Sequence, residues 1–204
     1  AEGYARVKNK PAIVNVTRTL MFGFTRLAIN GLTNNGMQPF SKNGLTWICN
    51  GEIYNHLDIR RELLTNRVFK SSGDTETVLY AYIQHGEAIL EKLNGIFAFA
   101  IFDNVTSEII IARDHFGVKP LYFYNKKDLF LFGSELKSFL PFKIDLSLCP
   151  EAAFNYISFL WSPGEKTMLK YVKKMLPGTY IKFNIKDNIL IDPNLRQRYD
   201  QTGS

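Results

Sequence analysis

The sequence predicts an α+β domain built on largely antiparallel sheets, and three observations carry that prediction. Apolar stretches of strand length recur between turn residues, two segments have the spacing of amphipathic helices, and strands and helices come in blocks. Blocks of strands suit hairpin connections, whereas parallel pairing needs a crossover after each strand.

The strand-like stretches are residues 12–16, 20–29, 45–49, 96–102, 109–112, 121–124, 129–132 and 180–183. Thr75, Val78, Leu79, Tyr82 and Ile83 recur at i, i+3, i+4, i+7 and i+8, the period of one helix face. Leu57, Leu63 and Leu64 mark a shorter helix from near Asn55, and residues 150–159 are a third candidate. Turns are signalled at Asn34-Asn35-Gly36, Lys42-Asn43-Gly44, Ser72-Gly73 and Asn125-Lys126-Lys127. The periodicity fades near the end, so residues 1–187 are expected to form the domain and 188–204 a linker or tail.

A chain of 204 residues, 46% hydrophobic, suffices for one substantial core. Its 25 basic and 19 acidic residues give +6, but the basic residues are scattered in ones and twos. Nucleic-acid binding is not expected, because no basic stripe carries interleaved aromatics. The two cysteines, Cys49 and Cys149, form no metal-spaced motif, so a reducing, cytoplasmic setting is the expectation. No apolar run approaches the ~20 residues of a membrane helix, and residues 1–6 lack a signal-peptide profile.

Four constellations carry candidate chemistry. Asn50-Gly51-Glu52 follows a strand: a carboxamide beside a glycine N–H offers two donors that can converge on an oxyanion, though Asn-Gly is also a common turn signal. Asp74 opens the best-formed helix, either as an N-cap or as a carboxylate for a ligand ammonium. Arg26 lies within an apolar stretch and needs an internal carboxylate or an anionic ligand. The charged segment from Ala112 to Tyr122 reads as a solvated connection between strands, with His115 structural.

Taken in order, Gly23-Phe24-Thr25-Arg26-Leu27-Ala28-Ile29, Asn50-Gly51-Glu52-Ile53-Tyr54-Asn55, Ser72-Gly73-Asp74-Thr75-Glu76, Leu93-Asn94-Gly95-Ile96-Phe97-Ala98-Phe99-Ala100, Ala112-Arg113-Asp114-His115-Phe116-Gly117-Val118-Lys119-Pro120-Leu121-Tyr122 and Gly133-Ser134-Glu135-Leu136-Lys137 resemble the glutaminase domain of glutamine-dependent asparagine synthetase. Leu176-Pro177-Gly178 resembles a turn near that domain's end. The resemblance implies a four-layer αββα N-terminal-nucleophile hydrolase sandwich of two antiparallel sheets, with its first strand in question here. It also implies an amidotransferase chemistry in which an N-terminal Cys thiol attacks the glutamine carboxamide, with its own α-amino group as base.

Carried over by motif, Asn50 and the Gly51 N–H form the oxyanion hole. Arg26 holds the glutamine α-carboxylate, Leu27, Ala28, Ile29 and Asn30 line the pocket, Asp74 takes the α-ammonium and Glu52 completes the site. The family's Cys-Gly-Ile start is not found ahead of Arg26, and its Arg-Gly-Pro-Asp loop is at best Asn9-Lys10-Pro11. Two readings stay open: part of an ammonia-producing asparagine synthetase, or a nucleophile-free module that binds glutamine or a protein partner. Cys49 is not expected to act as nucleophile, having no N-terminal amine as base and pointing away from Asn50 on a strand. No Ser-Gly-Gly-x-Asp-Ser loop occurs, so no cofactor is expected in this chain, and ATP and magnesium belong with the synthetase domain. Expected partners are glutamine and that domain, and a homodimer stays open.

Overall fold

The computed structural model describes residues 12–16, 19–23, 38–126, 129–186 and 189–190. In chain order these form β1 (Ala12–Val16), β2 (Thr19–Gly23), β3 (Phe40–Lys42), β4 (Leu45–Ile53), α1 (His56–Leu63), α2 (Asp74–His85), β5 (Gly95–Asp103), β6 (Glu108–Arg113), β7 (Tyr122–Lys126), β8 (Leu129–Gly133), α3 (Pro150–Phe159), β9 (Val172–Lys174), β10 (Tyr180–Asn184) and β11 (Ile189–Leu190). The strands make two sheets, ordered β2-β1-β8-β7-β9 and β11-β10-β6-β5-β4-β3. Every described pairing is antiparallel.

The sheets meet face to face through aromatic side chains. Phe123, Phe130 and Phe132 alternate with Tyr124 and Leu131 along β7 and β8, so one set joins the main core and the other a smaller cluster behind it. Phe130 of β8 stacks on Phe183 of β10 with ring centroids 4.3 Å apart. In the second sheet, Phe97 to Ile101 and Ile109 to Ala112 are buried without a break. Such continuous apolar runs mark strands covered on both faces. The other cover is α2, whose Val78, Leu79 and Ala81 join the same core.

Helices, two antiparallel sheets and a further outer layer give the α+β sandwich that the sequence predicts. Among the described residues, the outer layer of the first sheet is thin. It consists largely of a 3-10 segment, Leu136–Phe142, whose Phe139 packs with Tyr124, Leu131, Ile144 and Val172.

The Lys42-Asn43-Gly44 signal forms the β3–β4 hairpin, with Asn43 at φ 51 and Gly44 at φ 80. A two-residue hairpin needs left-handed residues at both central positions, which Asn and Gly supply cheaply. Two expectations are corrected. Asn50-Gly51-Glu52 does not follow a strand or form its closing turn: β4 runs on through Ile53 and pairs throughout with β5. The segment from Ala112 to Tyr122 is not a solvated connection, since Arg113 and Asp114 are buried. Ile189 and Leu190 pair with the end of β10.

Candidate active site

The last residues of β4 carry three of the predicted site residues, Asn50, Gly51 and Glu52, at one end of the second sheet, and a fourth, Asp74, bonds to that end from α2. Asn50 turns toward the first sheet, its Nδ2 reaching the buried Ser134 Oγ at 3.5 Å, the outer limit of a hydrogen bond. Gly51 stands opposite Phe97 at φ 147. A Cβ there would lie 2.0 Å from the Ile96 carbonyl oxygen and 2.6 Å from the Phe97 Cα. Gly95 repeats the pattern, its notional Cβ lying 2.2 Å from the Glu52 carbonyl oxygen. The two backbones thus approach more closely than any side chain permits, which explains a glycine on each strand. Glu52 follows and is exposed.

Asp74 is the first residue of α2, behind an extended Gly73 that takes the N-cap position. Its Oδ2 accepts the Ile53 N–H at 2.9 Å, and Thr75 Oγ1 reaches its Oδ1 at 3.4 Å. The carboxylate therefore ties the helix to the strand that carries Asn50 and Gly51. Arg26, Leu27, Ala28, Ile29 and Asn30 lie outside the described residues.

Cys49 is buried with its backbone N–H donating to Gln38 Oε1 at 2.6 Å. Burial, then the Asp74 charge, push its thiol well above the ordinary range, against a smaller pull from Lys119. A buried thiol kept protonated in this way is a poor nucleophile. His56 lies near the same end of β4. Burial lowers its pKa, Arg60 lowers it further, and Asp74, Glu52 and Asp58 oppose.

Three supports of the site escape composition-based reading. Glu76, 1% exposed, accepts the N–H groups of Lys70 and Ser71 and the Ser71 hydroxyl, closing the loop ahead of α2. The signal was present: an acid in the helix's first turn can reach back over preceding N–H groups. Arg60 then joins α1 to α2, donating to Thr77 Oγ1 at 2.6 Å and the Gly73 carbonyl at 2.7 Å.

The third support is Asp114. Its carboxylate accepts N–H bonds from Phe116 (3.1 Å), Val118 (2.9 Å), Lys119 (3.0 Å) and Phe97 (3.3 Å). Its own N–H donates to the Phe97 carbonyl at 2.8 Å. Because Phe97 pairs with Gly51, Asp114 fixes the strand behind the candidate oxyanion site. Arg113 spends its guanidinium on the carbonyls of Lys119, Met175 and Gly117 at 2.7, 2.5 and 2.5 Å. Gly117, at φ 64, leaves room for that guanidinium, since a Cβ would stand 3.0 Å from Arg113 Cζ.

A sequence model of the glutamine amidotransferase domain matches residues 10–195. The chain belongs to this family. It is 40% identical over 161 residues to asparagine synthetase [glutamine-hydrolyzing] 1 of Bacillus subtilis, covering 78% of this chain and 25% of that protein. It is 31% identical over 182 residues to a putative asparagine synthetase [glutamine-hydrolyzing] of Mycobacterium tuberculosis, covering 84% and 28%. Amidase chyE of Penicillium rubens is 33% identical over 165 residues, with 80% and 24% covered. This amidotransferase domain thus spans about a quarter of the length of these curated relatives.

Among solved structures, glutamine phosphoribosylpyrophosphate amidotransferase from B. subtilis superposes with a TM-score of 0.57 at 19% identity, covering 89% of this chain and 42% of that one. An allosteric regulatory enzyme of purine biosynthesis gives 0.59 at 19% identity, covering 97% and 44%. At these identities the likeness establishes the fold, that of N-terminal-nucleophile amidotransferases. No helix among the described residues is long and apolar enough to cross a membrane.

Proposed function

We propose that this amidotransferase domain binds L-glutamine at the end of β4. In complete form it would release ammonia from that glutamine for asparagine synthesis by an ATP-dependent synthetase body. The observation that carries the reading is the convergence at the end of β4 of the Asn50 carboxamide, which reaches Ser134, and the Asp74 carboxylate, which is anchored to the Ile53 N–H of the same strand.

In this reading Asp74 receives the α-ammonium and Arg26 the α-carboxylate, with Leu27, Ala28, Ile29, Asn30 and Glu52 around them. Asn50 and the Gly51 N–H face the carboxamide oxygen. A cysteine thiolate adds to the carboxamide carbon, and the negative charge moves onto the oxygen held by those donors. The C–N bond breaks as nitrogen takes a proton and ammonia leaves. Water then cleaves the thioester to glutamate and restores the thiol. Loss of one oxyanion donor typically costs about 10²–10³ in rate.

The burial and raised pKa of Cys49 favour a second reading for the 204-residue chain taken alone, glutamine binding without turnover. Calorimetry with L-glutamine tests the proposal. Asp74→Asn keeps an acceptor for the Ile53 N–H but removes the charge, so folding should persist while affinity falls by at least about tenfold. Unchanged affinity would remove Asp74 from the site, and no heat of binding to the parent chain would remove the pocket.

A further inference from the structure

The segment Gly133-Ser134-Glu135-Leu136-Lys137 leaves β8 beside the candidate site and sets the Ser134 hydroxyl against Asn50. Side chains alternate along a strand, so Phe130 and Phe132 share one face of β8, and Phe130 stacks on Phe183 of the second sheet. Ser134, two residues further on, continues that inward row and is 2% exposed. A hydroxyl at the end of an aromatic row between two sheets costs free energy unless it is hydrogen-bonded. Among the described residues its one partner is the Asn50 carboxamide, with Nδ2 at 3.5 Å.

The two candidate oxyanion donors differ in how they are held. The Gly51 N–H is part of a backbone that pairs with β5 at every residue from Leu45 to Ile53. The Asn50 carboxamide hangs on rotatable side-chain bonds, is half-buried, and among the described residues makes no other hydrogen bond. Its nitrogen carries two N–H groups. With one donated to Ser134 the amide plane is set, and the second stays available to a ligand oxygen. Because Asn50 belongs to the second sheet and Ser134 to the first, this hold spans the sandwich. Its length is at the outer limit of a hydrogen bond, and such bonds in ligand-free sites commonly tighten when substrate arrives.

We propose that Ser134 is a positioning residue for the oxyanion site, holding the Asn50 carboxamide from the opposite sheet so that its second N–H meets the side-chain carboxamide oxygen of glutamine. The assignment rests on the glutamine reading above. It gives the buried hydroxyl a purpose that an alanine could not serve, and it makes the donor geometry depend on how the end of β8 sits against β4. Ser134→Ala removes the hold and leaves only the half-exposed Asn50 to be hydrated, so the chain should fold. Ser134→Cys nearly keeps the shape but offers a weak acceptor, so it should behave as alanine does and carries the test if alanine fails to fold.

The experiment is a double-mutant cycle on the 204-residue chain, with L-glutamine affinity read from the Asp74 amide resonance in the parent, Ser134→Ala, Asn50→Ala and the double variant. Ser134→Ala should weaken glutamine about three- to tenfold, the loss of one ordinary hydrogen bond, and should move the Asn50 Nδ2 resonances already in the free chain. In the Asn50→Ala background the same change should alter affinity by less than about twofold, because the group it positions is gone. Equal losses in both backgrounds would make Ser134 a packing residue and overturn the proposal. So would an affinity that Ser134→Ala and Ser134→Cys leave unchanged while the parent binds. A parent chain that does not bind glutamine overturns the glutamine reading itself, and this assignment with it.

Discussion

Replacing Asp114 by alanine removes the acceptor of four backbone N–H groups from a fully buried position. The donors are not equivalent. Phe97 N–H belongs to the buried β5 strand and has no route to water, so leaving its bond unmade costs about 1–3 kcal/mol. The N–H groups of Phe116, Val118 and Lys119 are half-buried and can be hydrated after a small loop shift, so each loses about 1 kcal/mol. Asp114→Ala should then cost about 4–6 kcal/mol, less whatever is recovered by no longer burying a carboxylate. Against a typical domain stability of about 5–15 kcal/mol, this leaves the fold marginal. Asp114→Asn retains one acceptor oxygen but turns an NH₂ toward two of the donors, and should cost roughly half as much. Urea unfolding, with the slope checked to be constant, measures both variants. The reasoning fails if Asp114→Ala loses under about 1 kcal/mol, or if Asp114→Asn loses as much as alanine does.

Further outcomes follow from the same contacts. Gly51→Ala meets backbone rather than a flexible side chain, so it should cost about 3 kcal/mol or more and abolish glutamine binding. Gly86→Ala, at φ 58 and ψ −144 with nothing within 4 Å, meets no neighbour and should cost only the backbone strain of a region nearly confined to glycine, about 1–3 kcal/mol, and thermal unfolding compares the two. Cys49 should resist alkylation by iodoacetamide at pH 8 in the native protein and react fully in denaturant, as mass spectrometry would show; rapid native labelling contradicts the burial assigned to it. His56 makes stability depend on pH in a defined direction. Its folded pKa lies below its unfolded value of about 6.5, so the unfolded chain binds the proton first as pH falls. Its contribution is complete above that pH, declines below it and levels off beneath the folded pKa. His56→Gln should flatten that part of the curve, and an unchanged acid slope counts against it.

The hydrophobic pattern carried much of the fold. Residues 12–16 and 150–159 coincide with β1 and α3, because apolar spacing and length suffice there. The short strands β3 and β9 were not legible: each has three residues, and Val172-Lys173-Lys174 carries the lysines that blunt a sheet edge. Asn50-Gly51 reads as a turn because Asn-Gly usually is one. Only the close approach of β5 shows that the glycine serves an uninterrupted strand. Arg113 and Asp114 read as solvent-facing because composition lists charges and not their acceptors. Their partners are backbone groups from several segments, which pair only after folding.

Amide resonances of the 204-residue chain during titration with L-glutamine test the central claim most directly. Gly51, Ile53 and Asp74 should shift together and saturate with one affinity, while D-glutamine, whose ammonium and carboxylate are exchanged in space, should leave them in place. Shifts confined to other regions, or equal responses to both enantiomers, would contradict a glutamine site at the end of β4.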